Sequence, residues 1–208
     1  MCVLPTWRGW LALLLAVGLA GALALRGAHH FLAVQDSVPG GVLVMEGWLD
    51  DKGLTRAWGE FQRGEYVVWC VTGAPLEKGA PLSEYPNYAE MTVAAFEKMG
   101  GTPGQLQPVP WATVRRDRTY ASALALKAWL RERGLPVEKI NVITSGGHAR
   151  RSRLLYEKAF GEGSRIGVIA VPEEHYDPEQ WWRSSYGVRS VVGELLAYGY
   201  ARLVFRGQ

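Results

Sequence analysis

Short apolar runs that alternate with helical segments are the feature that most limits how this chain folds. Each run is apolar on both faces, as in a strand covered by helices on both sides of a parallel sheet. Alternating strands and helices favour parallel strands joined by crossover helices. The predicted strands are 41–45, 66–71, 106–109, 139–144 and 166–171.

Helical periodicity fills the intervals between these runs, with apolar residues every three or four positions. We expect Asp117 to cap the helix that begins at Arg118. The predicted helices are 52–63, 88–99, 118–133, 148–160 and 185–205. The apolar stripe predicted for the last helix contains Val188, Val192, Leu195, Leu196, Tyr198, Gly199 and Leu203. The sequence therefore predicts a three-layer, Rossmann-like α/β fold: a five-stranded parallel sheet with helices on both faces.

An uncharged segment, residues 9–25, precedes the first strand and is rich in leucine and alanine. A helix needs roughly 20 apolar residues to span a bilayer, so this segment is near the lower limit. A retained membrane anchor is the favoured interpretation. A cleavable signal peptide is the alternative, because Ala22-Leu23-Ala24 has the pattern of a cleavage site. We expect 1–35 to form the anchor and part of a juxtamembrane linker (27–39), and 36–208 to form one domain.

The rest of the chain is nearly neutral. Without Arg8 and Arg26, which flank the apolar segment, 21 of the 23 Lys and Arg remain against 20 Asp and Glu. A nucleic-acid-binding domain needs a strongly basic face, so we expect no nucleic-acid partner. The flanking arginines favour neither orientation in the membrane, whereas the N-terminal amine favours a cytoplasmic N-terminus.

The two cysteines, Cys2 and Cys70, lie on either side of the apolar segment, so we expect no disulfide between them. The four histidines show no zinc-ligand spacing with these cysteines. Neither a P-loop nor a G-x-G-x-x-G motif follows the first strand. The sequence therefore predicts no metal site and no resident cofactor.

Polar residues follow four of the predicted strands. In a doubly wound sheet, the loops at the carboxyl ends of the strands meet at one crevice, where ligands bind. The candidate acid–base residues are Glu46, Glu90 and His148. The candidate residues for binding an anion or substrate are Gly47, Thr72, Gly73, Arg118, Thr119, Ser145, Gly147, Arg150 and Arg151.

The segment from Ser145 to Arg153 gives the strongest indication of an anion site. It joins a strand to a helix through two glycines and carries His148 before its arginines. A helix N-terminus already holds partial positive charge, so each arginine there costs roughly 0.3–1 kcal/mol. A bound anion would offset that cost. Alternatively, the arginines coat a solvated helix face.

Each candidate role follows from the chemistry of the side chain. Histidine changes charge near neutral pH, so His148 is predicted to transfer protons or to bind phosphate. Glu46 and Glu90 are predicted to orient a hydroxyl or a water. The alternatives are an ion-pair role for Glu46 and a helix-dipole role for Glu90. The arginines expected to hold a phosphate are Arg118, Arg150 and Arg151.

Four short motifs together resemble those of a known family. They are Glu46-Gly47, Tyr88-x-Glu90, Arg118-Thr119-Tyr120 and Thr144-Ser145-x-x-His148-x-x-Arg151. Over about residues 42–171 the chain resembles the YdcF-like family, which includes the SanA and ElyC envelope proteins. It departs from the family at Tyr120-Ala121-Ser122, where members usually have Glu-Asn.

The resemblance implies a Rossmann-like domain outside the inner membrane of a bacterium, with a role in envelope integrity and in peptidoglycan or lipid-carrier metabolism. One branch of the family is an S-adenosylmethionine binder. We therefore expect a single-pass protein of the inner (plasma) membrane whose extracytoplasmic domain binds or processes a phosphorylated envelope precursor or another small anionic ligand.

Two other functions remain open. One is a noncatalytic envelope-assembly module that docks partner proteins through Trp181 and Trp182, although packing under the last helix is the favoured interpretation of these residues. The other is a nucleotide- or S-adenosylmethionine-binding domain. The sequence does not decide whether turnover occurs.

Overall fold

The computed structural model describes residues 6–77, 79–112 and 114–207. Its strands are β1 (Gly41–Glu46), β2 (Tyr66–Gly73), β3 (Leu106–Pro110), β4 (Lys139–Ser145) and β5 (Arg165–Val171). Its α-helices are α1 (Trp7–Leu32), α2 (Asp51–Arg63), α3 (Tyr88–Lys98), α4 (Arg118–Glu132), α5 (Ala149–Phe160) and α6 (Ser185–Leu203). Short 3-10 helices occur at Ala80–Leu82, Gly146–His148 and Pro178–Arg183.

The strands form one parallel sheet in the order β3-β2-β1-β4-β5, which confirms the predicted fold. β2 and β3 are added on one side of β1, and β4 and β5 on the other, so the order of the strands reverses between the neighbours β1 and β4. Open sheets of this order bind ligands at that switch point, beyond the carboxyl ends of the strands. Glu46 ends β1 opposite Thr72 of β2, so the first two predicted loops begin side by side.

Alternate residues of each strand face opposite helical layers. Val42 and Val44 pack against the α4, α5 and α6 layer. Leu43 and Met45 pack against the α2 and α3 layer. Burial of each such side chain stabilises the fold by about 1.5–3 kcal/mol. Glu46 continues the first alternation, so its carboxylate points under α4 and α5 rather than into solvent.

Among the described residues, one helix, α1, is long and apolar enough to cross a membrane. At about 1.5 Å per residue it is roughly 39 Å long, which exceeds the ~30 Å hydrocarbon core of a bilayer. Its apolar side chains are largely exposed: Leu14 is 66% exposed and Leu19 63%. The surface of α1 is therefore suited to lipid rather than to water.

The last turn of α1 belongs to the globular domain. Ala28, His29 and Leu32 are buried. The indole of Trp181 donates a hydrogen bond to the Leu25 carbonyl over 3.0 Å, and His29 Nδ1 lies 3.0 Å from the Tyr176 hydroxyl. The helix therefore ends inside the domain that it carries.

The prediction of a linker at 27–39 was wrong for residues 27–32, which belong to α1. The helix continues to Leu32, and Asp36 then pairs with Val168 of the edge strand β5. Asn141 of β4 exchanges hydrogen bonds with the backbone of Val38, accepting over 2.7 Å and donating over 2.8 Å. Tertiary contacts, which sequence composition does not reveal, fix this segment.

The apolar stripe predicted for α6 is divided between two surfaces. Leu195 and Tyr198 pack against buried clusters, and so does Val191, which is buried but was not in the predicted stripe. Leu196 and Leu203 are exposed instead. The predicted stripe was misplaced, because it left out the buried Val191 and Ala201 and included several exposed residues.

The prediction that Cys2 and Cys70 form no disulfide stays a prediction. Cys2 lies outside the described residues, whereas Cys70 is a free thiol inside β2. Burial raises the pKa of the Cys70 thiol to about 12, so this side chain stays protonated at neutral pH.

Candidate active site

A cavity of about 770 Å³ opens at the carboxyl edge of the sheet, at the switch point between β1 and β4. The volume lies within the range typical of small-molecule sites. The polar residues that line it are Glu46, Thr72, Glu77, Arg115, Asp117, Arg118, Thr119, Ser122, His148, Arg151 and Glu194. The remaining lining residues are Trp48, Gly73, Ala74, Tyr88, Trp111, Leu155, Ala197, Tyr200 and Ala201.

Glu46 forms the floor of this cavity and is only 3% exposed. Its carboxylate accepts hydrogen bonds from the Thr144 hydroxyl and, over 3.3 Å, from the Ser152 hydroxyl. A buried carboxylate is costly unless it has such partners. Within the described residues, its one ion-pair contact is with His148, whose Nε2 is 3.9 Å from Oε2.

His148 is oriented by Glu194 of α6. Its Nδ1 lies 2.9 Å from Glu194 Oε1. Nδ1 also lies 2.9 Å from Arg151 Nη2, which can only donate, so its two polar neighbours favour opposite tautomers. In the tautomer that has the hydrogen on Nδ1, Glu194 accepts it. In neutral imidazole, Nε2 is then the acceptor, and it lies 3.4 Å from the Thr119 hydroxyl. The basic nitrogen therefore faces the cavity, between Thr119 and Glu46.

Arg151 completes this group by binding the same carboxylate. Its Nε and Nη2 donate to the two oxygens of Glu194 over 2.7 and 3.0 Å. Burial alone raises the pKa of Glu194, but hydrogen bonds and charge from His148 and Arg151 outweigh it and lower that pKa to about 2. Glu194 is therefore ionised at neutral pH, and it neutralises Arg151.

A set of buried hydroxyl groups supports the wall beside Glu46. The Ser122 hydroxyl donates to Thr72 Oγ1 over 2.9 Å and lies 3.4 Å from the Tyr156 hydroxyl. Burial, followed by the nearby charge of Glu46, raises the pKa of Tyr156. These contacts hold Thr72 and Ser122 in place at the cavity surface.

The entrance of the cavity carries the unburied positive charge. Arg115 and Arg118 both line it, and Arg118 pairs with Glu77 over 2.8 Å on the exposed surface. The prediction that Asp117 caps α4 was wrong, because Asp117 adopts a left-handed conformation with φ of 54° and its side chain makes no cap hydrogen bond. The side-chain cap is absent from a helix N-terminus that borders the cavity, a position that favours anions.

Aromatic side chains form much of the remaining wall. The Trp48 ring packs edge to face against His148, with ring centroids 5.2 Å apart. Trp111, Tyr88 and Tyr200 line the same cavity. The cavity therefore combines a charged floor with flat apolar surfaces.

The structure brings together most of the predicted site residues. Those that line the cavity are Glu46, Thr72, Gly73, Arg118, Thr119, His148 and Arg151. Those that do not are Gly47, Glu90, Ser145, Gly147 and Arg150.

Two of the residues outside the cavity have clear partners elsewhere. Glu90 exchanges hydrogen bonds with Asn87, the N-cap of α3, each over 2.9 Å, so it stabilises the start of that helix. Arg150 lies over the Phe31 ring at 4.0 Å and donates to the Phe31 carbonyl. The prediction that Arg150 shares a phosphate site with Arg151 is therefore wrong.

Gly73 acts through close packing of the backbone. A Cβ on Gly73 would lie 2.0 Å from the Ala89 nitrogen, so only glycine lets the end of β2 meet α3. Ser145 ends β4 opposite Val171, and a Cβ on Gly147 would lie 3.4 Å from the Tyr176 hydroxyl. The distance at Gly147 is an ordinary contact, so close packing does not require a glycine there.

Sequence reasoning missed Glu194, the residue that orients the histidine. The available signal was that Glu194 is the one carboxylate within the mostly apolar sequence of α6. A lone acid on such a helix indicates a specific partner, because an unpaired carboxylate is costly near a core.

No known protein family, curated protein or solved structure matches this chain. In the part of the chain that the structure describes, no group of three or more His, Cys, Asp or Glu residues is arranged to hold a metal ion. The fold and the cavity define the class: a Rossmann-like α/β domain with a switch-point cavity, joined to a helix able to cross a membrane.

Proposed function

We propose that this protein is a membrane-anchored enzyme of the YdcF-like type, which processes a phosphorylated cell-wall or lipid-carrier precursor outside the inner membrane. The observation that supports this proposal is the pairing of His148 with Glu194 over 2.9 Å, which leaves Nε2 facing a cavity at the switch point. A histidine oriented by a carboxylate is a common general base.

The chemistry assigned to His148 is proton transfer. Nε2 takes a proton from a water or a substrate hydroxyl, whose oxygen attacks the phosphorus. The phosphoanhydride bond then breaks, and the leaving oxygen receives the proton from the imidazolium. Glu46, whose Oε2 is 3.9 Å from Nε2, and Glu194 stabilise the positive charge that His148 carries between these two steps.

The phosphate is assigned to the entrance rather than to the floor. Arg151 is already neutralised by Glu194, and Glu46 would repel an anion that came close. Arg115, Arg118 and the N-terminus of α4 provide the positive potential at the entrance. The aromatic wall, which includes Trp48 and Trp111, suits the flat face of a sugar ring in the precursor.

The test uses the full-length protein in detergent with a polyprenyl diphosphate as substrate and measures the release of inorganic phosphate. We expect release by the wild type and its loss in His148→Gln and Glu194→Gln. Glu90→Gln is the matched control, since Glu90 lies outside the cavity. Absence of release by the wild type, or full release by His148→Gln, would overturn the proposal.

A nucleoside-containing ligand, such as S-adenosylmethionine or a nucleotide, is the second candidate. The strand order and the aromatic wall favour it, because both are common features of nucleotide sites in this class of fold. It predicts a higher Tm in the presence of that ligand, and loss of the increase in Trp48→Ala. It also needs a domain that faces the cytoplasm, so a topology reporter fused after Gln208 separates it from the first proposal.

Nothing in the site favours a docking role for the paired tryptophans. Trp181 is 2% exposed and holds the last turns of α1 through its hydrogen bond to Leu25. Trp182 packs partly against the same cluster. Both residues therefore support the seat of α1.

A further inference from the structure

A second, smaller pocket is lined by three arginines that do not line the main cavity. It has a volume of about 220 Å³ and lies between the segment after α1 and helices α5 and α6. Its lining residues are Val34, Arg150, Arg153, Leu154, Glu157, Tyr198 and Arg202. Three guanidinium groups thus face one carboxylate.

The arginines of this pocket differ in how far they are neutralised. Arg153 pairs with Glu157 over 2.9 Å and with Asp36 over 2.6 Å. Arg150 and Arg202 form no ion pair with any of the described carboxylates. The pocket therefore retains positive charge.

Arg150 is held in place without losing its charge. Its guanidinium lies 4.0 Å from the centre of the Phe31 ring, and its Nε donates to the Phe31 carbonyl. These contacts use one edge and one face of the group, so both terminal nitrogens remain available to an anion. A cation that is fixed but not neutralised binds anions at low entropic cost.

The pocket lies close to the point where α1 would leave a bilayer. Phe31 follows Leu25, the end of the uncharged segment, by roughly 9 Å along the helix axis at ~1.5 Å per residue. The polar layer on each side of a bilayer is roughly 5–8 Å thick, so Phe31 lies at the outer edge of the headgroup layer. The exposed ring of Phe31, 43% accessible, borders the same region.

We propose that this pocket binds the phosphate of an anionic membrane lipid headgroup. Clusters of arginine close to a membrane helix attract such lipids, and the remaining charge of Arg150 and Arg202 provides that attraction here. The proposal rests on the membrane-anchor part of the proposed function, and it is independent of the chemistry in the main cavity.

The test measures lipid binding to the delipidated full-length protein in an uncharged detergent, by calorimetric titration. The probes are a short-chain phosphatidylglycerol, the phosphatidylcholine of the same chain length, and inorganic phosphate. We expect preferential binding of phosphatidylglycerol, and a loss on the order of 10- to 30-fold in the double variant Arg150→Gln/Arg202→Gln.

The double variant Arg183→Gln/Arg189→Gln is the matched control, because it removes the same charge from exposed positions that line neither pocket. Near-UV circular dichroism checks that both variants are folded. Equal affinity for the two lipids, equal loss in the control, or inorganic phosphate binding as tightly as the lipid would each overturn the proposal.

Phosphate release from the diphosphate substrate separates this proposal from the preceding one. We expect Arg150→Gln/Arg202→Gln to keep that activity in detergent, and His148→Gln to keep the preference for phosphatidylglycerol. Absence of phosphate release by the wild type, together with its preference for phosphatidylglycerol, would therefore count against the enzyme proposal alone.

Discussion

Arg150 and Arg151 are neighbours in sequence, yet they serve two pockets of opposite character. Arg151 faces the main cavity, where Glu194 neutralises it. Arg150 faces the smaller pocket, where Phe31 holds it and no described carboxylate pairs with it. Successive residues of an α-helix point about 100° apart, so a run of arginines is divided between two surfaces. The charge of a residue matters less here than the partner it meets.

The largest effect is expected when His148 of the main cavity is replaced, whereas the smaller pocket should be unaffected. His148→Gln should lower the rate of phosphate release by about 10²- to 10⁴-fold, which is the usual contribution of a general base. Lipid binding at the smaller pocket should not change. Equal loss of both properties would show that the two pockets are not independent.

Lowering the pH should reduce the stability that the Glu194 carboxylate contributes to the fold. The pKa of Glu194 is lowered to about 2 from an ordinary value of 4.5, so its contribution to stability is fully present above about pH 4.5 and is lost as the pH falls toward 2. That contribution is on the order of 3 kcal/mol. Urea unfolding of the full chain in detergent at several pH values measures it. Glu194→Gln should be less stable than the wild type near neutral pH, and the difference should shrink with acid; parallel curves would contradict the prediction.

Removing the carboxylate should make Arg151 resemble Arg150. In Glu194→Gln the guanidinium is no longer neutralised, so the affinity of the main cavity for inorganic phosphate should rise by roughly tenfold, as expected for one charge-assisted contact. Calorimetric titration with phosphate measures this change. The double variant Glu194→Gln/Arg151→Gln is the control and should lose the gain. Unchanged or weaker binding in the single variant would refute the neutralisation argument.

The smallest effect is expected at the entrance. Glu77→Gln frees Arg118 from an exposed ion pair, and such pairs contribute only about 0–1 kcal/mol to stability. We expect an almost unchanged Tm and an increase in phosphate affinity of roughly two- to fivefold. Arg118→Gln should change the affinity in the opposite direction. Equal phosphate affinities in the two variants would show that Arg118 does not contribute to binding the anion.

The fold was predictable because its signal is local. A strand buried on both faces is a continuous apolar run, and each of the five predicted strands agrees with the structure to within two residues at either end. The position of the cavity followed from the rule for doubly wound sheets, which places Glu46, Thr72 and His148 at the same edge.

The features of the site that the sequence did not predict depend on contacts between residues that are distant in sequence. Glu194 reaches His148 only because α6 packs beside α5, and no local pattern pairs the two residues. The separation of Arg150 from Arg151 depends on the rotation of α5 about its axis. The docking of Ala28 and Leu32 depends on the cluster around Trp181, so the helix end resembled a linker in the sequence.

The end of α1 touches the loop that carries the histidine. A Cβ on Gly146 would lie 3.5 Å from the His29 ring, and Gly146 is followed by Gly147 and His148. Because Ala28, His29 and Leu32 are buried, the end of α1 is fixed against the domain. If α1 crosses a membrane, this fixed end sets the height of the His148 loop above the lipid surface.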